Sequence, residues 1–295
     1  MKTLILPILA LSLSVNAKPI MNKQLPLDNY DYTSNVDAGF DQYKSKSLLK
    51  SGKIALTFDD GPHITRTPRL LDMLKKYNVK ATFFVLTKKV NSKTLPILKR
   101  IVREGHLLGS HHEDHENNNN KSEGLYESQL YKSVTKIENI VKDAGGNQNG
   151  IYYRFPYGAY GKSSGYHHFN VMKDVSQQIF GENCINFAFW DIDSSDWGPP
   201  LTADMIAQNV ISLVNGGIVR SVKMKKGMFG KARYKIKKEK YNHPPGGGVV
   251  LIHDIHEKSL QATEILLRRA QNENIKIVPL NTVKEYSFGQ RDCRI

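Results

Sequence analysis

The chain has 295 residues, of which 40% are hydrophobic and 24% are charged, and its formal net charge is +14. This composition excludes a mostly disordered chain, and the length is sufficient to bury one large core, so we expect a single domain of α/β-barrel size. The charge is concentrated, because residues 220–240 contain ten Lys or Arg against one Glu and carry +9 of the total.

The first 17 residues have the three parts of a secretory signal peptide. Lys2 gives a positively charged start, Leu4 to Leu13 form the apolar centre, and Val15-Asn16-Ala17 provides a small-residue cleavage pattern. The alternative is an N-terminal membrane anchor, although the apolar run is shorter than the ~20 residues that span a bilayer. We therefore expect export, to the periplasm or outside the cell. A polar extension over residues 18–50 follows, either strapped onto the domain or partly disordered.

From residue 51 to residue 285, short apolar runs alternate with helical patterns. The predicted strands are Ile54–Phe58, Ala81–Val85, His106–Gly109, Ile151–Phe155, Ile185–Trp190, Val249–Ile252 and Ile275–Val278. The predicted helices include Pro68–Tyr77, Leu95–Glu104, Leu125–Ala144, Ala203–Val214 and Ser259–Gln271. This alternation predicts an α/β domain with a parallel sheet covered by helices, most simply a barrel, and residues 286–295 form a C-terminal tail.

The basic segment interrupts this alternation near the end of the domain. Apolar residues alternate with Lys or Arg on both sides of the Gly-containing turn KGMFGK, which predicts a β-hairpin insertion over about residues 216–248 with one apolar and one cationic face. Since a strand follows directly at Val249, we expect the hairpin at the N-terminal rim of the barrel unless it folds over. Its cationic face, from Arg220 to Lys240, is expected to bind an anionic polymer or an anionic membrane surface. A solvated charged insertion is the alternative, and nucleic acid is not an expected partner of an exported protein.

Residues that can do chemistry follow five of the predicted strands. The motifs are TFDDGPH from Thr57, SHHEDH from Ser110, RFPYG from Arg154, WDIDSSDW from Trp190 and LIHD from Leu251. Each motif alone has an ordinary explanation, such as a turn, a solvated loop, a helix cap or a core histidine. Because the carboxyl ends of parallel strands meet at one rim of a barrel, where active sites form, five such motifs together favour a single site.

The second motif contains two histidines with the spacing of metal ligands. His111 and His115 are four residues apart, so we expect them on one face of a helical turn, within reach of the same ion. A carboxylate from another strand end would complete a three-ligand site with an open position, which is typical of catalytic zinc. His112 has no histidine four residues further on and is expected behind the ligands or at the rim, with a swapped ligand role as the alternative.

These five motifs, in this order, resemble those of the polysaccharide deacetylases of carbohydrate esterase family four, the NodB-like domain. The resemblance extends from Lys53 to about Leu280 and implies a distorted (β/α) barrel of about seven or eight units. Two positions depart from the family pattern. The residue before the first metal histidine is usually Asn and is Ser110 here, and the residue after it is usually Ser or Thr and is His112 here.

The resemblance implies a metal site and a catalytic base. Asp60, His111 and His115 would bind the metal, which we expect to be Zn²⁺, with Co²⁺ or another divalent ion as the alternative. Asp59 would be the base that takes a proton from water. Arg154 would pair with Asp59 and orient it.

The resemblance also implies a catalytic acid and a pocket for the acetyl group. His253 would be the acid, with Asp196 as the carboxylate that tunes it. The backbone N–H of Tyr157 would be the oxyanion donor, Trp197 would form a hydrophobic wall, and Leu251 would line the pocket for the acetyl methyl group.

An exported enzyme of this kind is expected to act on bacterial peptidoglycan. It would remove acetyl groups from N-acetylglucosamine units and release acetate. Chitin or its oligomers, poly-N-acetylglucosamine and acetylated xylan are the alternatives within the family. A non-catalytic wall-binding protein on the same fold is the alternative of another class.

The chain contains two cysteines, Cys184 and Cys293. Export to an oxidising compartment allows a disulfide that ties the C-terminal tail to the region around Cys184, and two unpaired thiols are the alternative. The sequence does not define the oligomeric state.

Overall fold

The structure is a computed structural model that describes residues 40–161, 167–226, 232–288 and 291–295, together with Pro26. The expected signal peptide and most of the extension lie outside these residues, as does the turn of the hairpin. Within the described ranges, no helix combines the length and the apolar character needed to span a bilayer.

The strands follow one another along the chain as β1 (Lys53–Gly61), β2 (Thr82–Val85), β3 (Leu107–Ser110), β4 (Ile151–Tyr153), β5 (Ile185–Phe187), β6 (Ile192–Asp193), β7 (Gly217–Lys226), β8 (Ala232–Tyr241), β9 (Gly248–His253) and β10 (Lys276–Ile277). The helices are α1 (Arg66–Lys76), α2 (Leu95–Arg103), α3 (Glu123–Asp143), α4 (His167–Phe180), α5 (Ala203–Asn215) and α6 (Glu257–Asn272). All strands and helices expected from the sequence are present, with ends that shift by at most three residues. Strand β6 and helix α4 are additional.

One parallel sheet forms the centre of the fold. Its spatial order is β5-β4-β3-β2-β1-β9-β6, and β10 pairs with the start of β1. Strand β1 is buried on both faces, which explains its continuous apolar sequence. Leu56 and Phe58 pack in the large cluster formed with the helices, whereas Ala55 belongs to a second cluster with Phe84 and Tyr152. Because neighbouring side chains alternate between the faces, the second cluster lies on the other side of the sheet.

The sheet is strongly curved. Strands β4 and β1 are three positions apart in the sheet, which would be ~14 Å in a flat sheet with the usual strand spacing. Arg154, directly after β4, nevertheless contacts Asp59 of β1, with 2.9 Å between Nη1 and Oδ1. Among the described residues, the end strands β5 and β6 do not pair with each other. The fold is therefore a distorted (β/α) barrel, and the predicted fold class is confirmed.

Both ends of the described chain are fastened to this barrel. Tyr43 is buried in the main core cluster, and the Ser45 backbone N–H donates to Asp191 Oδ1 at 2.9 Å. At the other end, a disulfide joins Cys184 and Cys293. Of the two states left open by the sequence, the structure contains the disulfide.

Strands β7 and β8 form the hairpin as an antiparallel ribbon paired over the ten residues of each strand. Its base lies at the N-terminal rim, because β7 follows the end of α5. From there the ribbon runs back along α5: the Asn209 side-chain amide donates to the carbonyls of Ser194 and Arg220 at 3.1 and 2.7 Å. Further along, Val222 packs so closely on Gly198 that a Cβ on the glycine would lie 2.4 Å from Val222 Cγ2. Ser194 and Gly198 follow β6, so the hairpin starts at the N-terminal rim, as expected, and then folds over towards the C-terminal rim, which was the alternative left open by the sequence.

Candidate active site

Two adjacent carboxylates of β1 line the same pocket because the strand is irregular there. In a regular strand, neighbouring side chains point to opposite faces. Here the register with β2 shifts between Asp59 and Gly61, and Asp60 has a φ of 71°. This bulge turns the Asp60 side chain out of the normal alternation, so that both carboxylates reach the pocket.

His111 and His115 follow β3, and their ring centroids are 5.3 Å apart. Residues 111–115 form an irregular loop, so the prediction that a helical turn brings the two rings together is wrong. The chain turns instead at His112, which has a φ of 71°. His111 and His115 are close in space, as the spacing predicted, but the left-handed backbone at His112 brings them together rather than a helical turn.

His112 points into the core behind this loop. Its Nδ1 lies 3.0 Å from the Tyr153 hydroxyl, and its ring stacks on that of Tyr126 with an interplanar angle of 14°. Burial lowers the pKa of His112 to about 4, so the imidazole is neutral near pH 7. Of the two positions considered for His112, the structure has the one behind the ligands.

Asp60, His111 and His115 form a cluster whose ligand atoms all lie within 4.8 Å of one another. Asp60 Oδ1 is 3.6 Å from His111 Nε2 and 3.5 Å from His115 Nε2, too long for hydrogen bonds. Two ligands of a tetrahedral Zn²⁺ with ordinary bond lengths lie ~3.4 Å apart. Asp60 Oδ1 is also buried without a hydrogen-bond partner among the described residues, so the cluster fits a metal ion.

The hydrogen bond of His111 Nδ1 determines that Nε2 is the nitrogen that can bind a metal. Nδ1–H donates to the Arg154 carbonyl oxygen at 2.8 Å, which leaves the lone pair on Nε2, the atom that faces Asp60. Burial lowers the pKa of His111 to about 3, so the ring stays neutral. A neutral imidazole with a fixed tautomer is the form that binds metals.

The carboxylate of Asp59 is fully buried and held by Arg154. The Arg154 guanidinium also donates to the Ala188 and Phe189 carbonyls at 2.8 and 3.1 Å and to the Thr57 hydroxyl at 2.7 Å, so its position is fixed. Burial raises the pKa of Asp59 above its ordinary value, and the charge of Arg154 opposes this shift. A carboxylate that is oriented and destabilised by burial is suited to accept a proton.

His253 ends β9, the strand next to β1, where it is paired in register with Asp59, and it forms an ion pair with buried Asp196. His253 Nδ1–H donates to Asp196 Oδ1 at 2.7 Å, and the His253 backbone N–H donates to Asp196 Oδ2 at 2.8 Å. Burial alone would lower the pKa of His253, but the charge and hydrogen bond of Asp196 raise it to about 10. The imidazolium is therefore the stable form near pH 7.

The pocket between these groups has a volume of about 470 Å³. Leu251 and Trp197 are among its lining residues, and Tyr157 lies at its mouth with 62% of its surface exposed. Tyr157 has a φ of 58°, and its backbone N–H has no partner among the described residues. All ten site residues expected from the sequence therefore converge, eight in the pocket wall and Arg154 and Asp196 directly behind it.

Four further residues line the pocket without having been given a role in the site, namely Phe155, Trp190, Asp193 and His256. Trp190 and Phe155 both end predicted strands, so their position was the signal available in the sequence. His256 is three residues after His253, at the start of α6, and burial lowers its pKa. Asp193 Oδ1 accepts the Ser195 backbone N–H at 2.7 Å and supports the turn that carries Asp196.

Comparison with known proteins identifies the family of this chain. The family model for polysaccharide deacetylase matches residues 47–172. A peptidoglycan-N-acetylglucosamine deacetylase of Bacillus cereus is 30% identical over 166 residues, which is 56% of this chain and 70% of that protein. The chain belongs to the polysaccharide deacetylase family.

Two other members of the family cover more of the chain. The peptidoglycan-N-acetylglucosamine deacetylase PgdA of Listeria monocytogenes is 30% identical over 254 residues, or 82% of this chain. The chain spans only 42% of the length of that protein. Among solved structures, a family 4 acetyl xylan esterase of Clostridium thermocellum in complex with a cobalt ion has a TM-score of 0.52 and 26% identity, covering 78% of this chain and 89% of the esterase.

Proposed function

We propose that this chain is a metal-dependent polysaccharide deacetylase that hydrolyses the acetyl groups of N-acetylglucosamine units in bacterial peptidoglycan. The products are acetate and a glucosamine unit with a free amine. One observation carries the proposal: an Asp-His-His cluster suited to a metal lies in one pocket between a buried carboxylate and an imidazolium. Such a pocket places a base and an acid within reach of one scissile bond.

Asp60, His111 and His115 would hold the metal. When bound, a divalent ion supplies polarisation of the acetyl carbonyl and lowers the pKa of water. The two-nitrogen, one-oxygen donor set suits Zn²⁺, which we propose as the native ion. The cobalt ion of the Clostridium thermocellum esterase supports Co²⁺ as an alternative.

Asp59 takes the proton of the water that attacks the carbonyl carbon. Its second oxygen, Oδ2, is 3.8 Å from His111 Nε2, so the base lies beside the metal ligands. Arg154 holds the other oxygen at 2.9 Å and fixes the direction of the lone pairs. The free N–H of Tyr157 donates to the oxygen on which negative charge develops, which is the role of a preorganised oxyanion donor.

His253 gives its proton to the departing nitrogen as the C–N bond breaks. An amide needs this step because an amine anion is too basic to leave. The ion pair with Asp196 keeps His253 in the protonated form that the step requires. Leu251 and Trp197 are the apolar side chains beside His253 that can enclose the acetyl methyl group.

The choice of substrate has separate support. The Bacillus cereus and Listeria monocytogenes relatives are both named as peptidoglycan-N-acetylglucosamine deacetylases. The N-terminal pattern and the disulfide are features of exported proteins, so we propose a periplasmic or secreted enzyme that meets the cell wall. The convergence of all ten site residues disfavours a non-catalytic wall-binding protein on this fold.

Acetate release tests this function. The purified protein is incubated with peptidoglycan, a chito-oligosaccharide and acetylated xylan at equal acetyl concentration, and the initial rates are compared. We expect the highest rate with peptidoglycan. A higher rate with xylan would contradict the substrate, and binding of peptidoglycan without acetate release from any polymer would contradict the enzymatic function.

A further inference from the structure

The described outer half of the hairpin lies near the mouth of the pocket. Val222 packs on Gly198, the residue after the pocket residue Trp197. Strand β7 continues for four more residues to Lys226, which is ~13 Å at the usual rise of a strand. The outer half of the ribbon therefore extends past the rim on which the acid, the base and the metal ligands lie.

The two faces of this outer half differ in chemistry. Met224 and Tyr234 are directly paired, lie on the same face as Val222 and are 61% and 40% exposed. The opposite face carries two cross-strand pairs of exposed cations, which are Lys223 with Lys235 and Lys225 with Arg233. The apolar face thus continues the side that packs on the barrel, and the cationic face points away from it.

The four cations are not compensated within the described residues. None of them lies within ion-pair distance of a described carboxylate, whereas Lys237, nearer the base, pairs with Glu239 at 3.1 Å. Like charges directly opposite one another on a ribbon destabilise it. A polyanion bound along this face would offset that repulsion, since it would neutralise both pairs at once.

We propose that the cationic face formed by Lys223, Lys225, Arg233 and Lys235 is a binding surface for a carboxylate-bearing glycan. The inference rests on the proposed function, because the glycan would be the polymer whose acetyl groups enter the pocket. The ribbon holds the anionic glycan chain next to the active site, so that several sugar units are deacetylated before the glycan dissociates. Four of the ten cations that concentrate the charge in residues 220–240 lie on this face.

The arrangement of the faces favours a glycan over a lipid surface. A membrane-bound amphipathic element inserts its apolar side chains while flanking cations contact the headgroups. Here Met224 and Tyr234 lie on the face opposite the four cations and are turned to the barrel side. Among the described residues of this outer half, no apolar side chain would therefore face a bilayer in contact with the four cations.

Matched charge variants test the surface. The hairpin variant carries Lys223→Gln, Lys225→Gln, Arg233→Gln and Lys235→Gln. The control variant loses the same charge at exposed lysines outside the hairpin, through Lys75→Gln, Lys132→Gln, Lys276→Gln and Lys284→Gln. Thermal unfolding of each variant checks folding, and Lys223→Gln with Lys225→Gln alone replaces the fourfold hairpin variant if that variant unfolds.

The first readout is co-sedimentation with purified insoluble peptidoglycan at low and high salt. We expect binding of the hairpin variant to be about tenfold weaker at low salt and nearly independent of salt, with the control variant close to the parent. Equal binding by the two variants would overturn the proposal. The proposal would also be overturned if the hairpin variant lost binding to phosphatidylglycerol vesicles but still bound peptidoglycan like the parent.

The second readout separates this surface from catalysis. We expect the ratio of KM for a carboxylate-bearing glycan to KM for a neutral chito-oligosaccharide to rise about tenfold in the hairpin variant only. An unchanged ratio would count against the surface. If the parent releases no acetate at all, the proposed function fails, while the sedimentation result still decides whether the surface binds the glycan.

Discussion

Asp59 and Asp60 are adjacent in the chain but have different neighbours, and this separates their chemistry. Asp59 lies against the Arg154 guanidinium, whereas Asp60 Oδ1 faces two imidazole nitrogens. One carboxylate is thus available to a proton, and the other to a metal. The bulge at Asp60 makes this division possible within two consecutive residues.

Asp59→Asn tests the division of roles. We expect acetate release to fall by about 10²–10⁴-fold because the base is lost, while zinc binding measured by calorimetry is retained. His111→Ala is the matched contrast and should lose both zinc binding and activity. Near-parental activity of Asp59→Asn would show that another group accepts the proton.

The pH profile reports on the acid and the base. In the proposed mechanism His253 acts as an imidazolium, so kcat/KM should fall as the pH rises through its pKa of about 10. Asp59 acts there as a carboxylate, so activity should fall as the pH drops through its pKa, which burial raises above 3.8. The plateau between these limbs is the range in which both groups have the required charge.

Asp196→Asn should move the alkaline limb to lower pH. Without the carboxylate, burial dominates and the pKa of His253 falls towards or below the ordinary imidazole value of about 6.5. Ser259→Ala is the control, since it removes a hydroxyl that donates to Asp196 but leaves the charge in place. An unchanged limb in Asp196→Asn would contradict the assignment of His253 as the acid.

Single residues of the site could be named from the sequence because five short motifs stand at strand ends. The place of Trp190 at a strand end was a signal of the same kind, whereas His256 had none. Its contact with the pocket depends on the path of the chain between β9 and α6, which no local pattern encodes.

At the scale of secondary-structure elements, the end of β1 packs against Asp254. The buried carboxyl group of Asp254 accepts a hydrogen bond from the Thr67 hydroxyl, and burial raises the pKa of Asp254 to about 7. A Cβ on Gly61 would lie 2.7 Å from both Asp254 carboxyl oxygens. A side chain at position 61 would therefore force the Asp254 carboxyl group, or the end of β1 that carries Asp59 and Asp60, to move.

Gly61→Ala should destabilise this element by about 1–3 kcal/mol through overpacking and lower activity by moving Asp60. Gly124→Ala is the control, because a Cβ there meets nothing within 4 Å. Thermal unfolding and acetate release measure the two effects. If Gly61→Ala matched Gly124→Ala in both measurements, the close contact between position 61 and Asp254 would not hold the end of β1 in place.

The elements that the sequence did not predict have identifiable causes. Helix α4 buries His168 and Ser176 along with its apolar residues, so its apolar stripe is diluted. The loop of His111 and His115 has helix-like spacing but turns through a left-handed residue, His112. The direction of the hairpin follows from two contacts. Asn209 of α5 binds the Arg220 carbonyl, and Val222 packs on Gly198 of the loop after β6. Neither contact is between neighbours in the sequence.

At the scale of the whole molecule, the disulfide holds the C-terminal tail against the start of β5. Cys184 and Cys293 are 109 residues apart, and the tail also pairs with Asn149, just before β4. A cross-link over a loop of this length contributes about 3–5 kcal/mol to the free energy of unfolding. The disulfide therefore anchors the C-terminal tail beside the beginnings of β4 and β5.

Reduction should destabilise the protein. We expect the free energy of unfolding in urea to fall by about 3–5 kcal/mol in the presence of reductant. The variant with Cys184→Ser and Cys293→Ser should already have the lower value and should not respond to reductant. A parent protein that is equally stable with and without reductant would contradict the contribution of the disulfide.

The central claim concerns the whole pocket and is our proposal that its activity depends on a bound metal ion. The most direct measurement is acetate release from peptidoglycan by protein that has been stripped with a chelator and then titrated with Zn²⁺. We predict no activity in the stripped protein and full recovery near one equivalent of zinc. Undiminished activity of the stripped protein, or zinc binding without recovery of acetate release, would contradict the account.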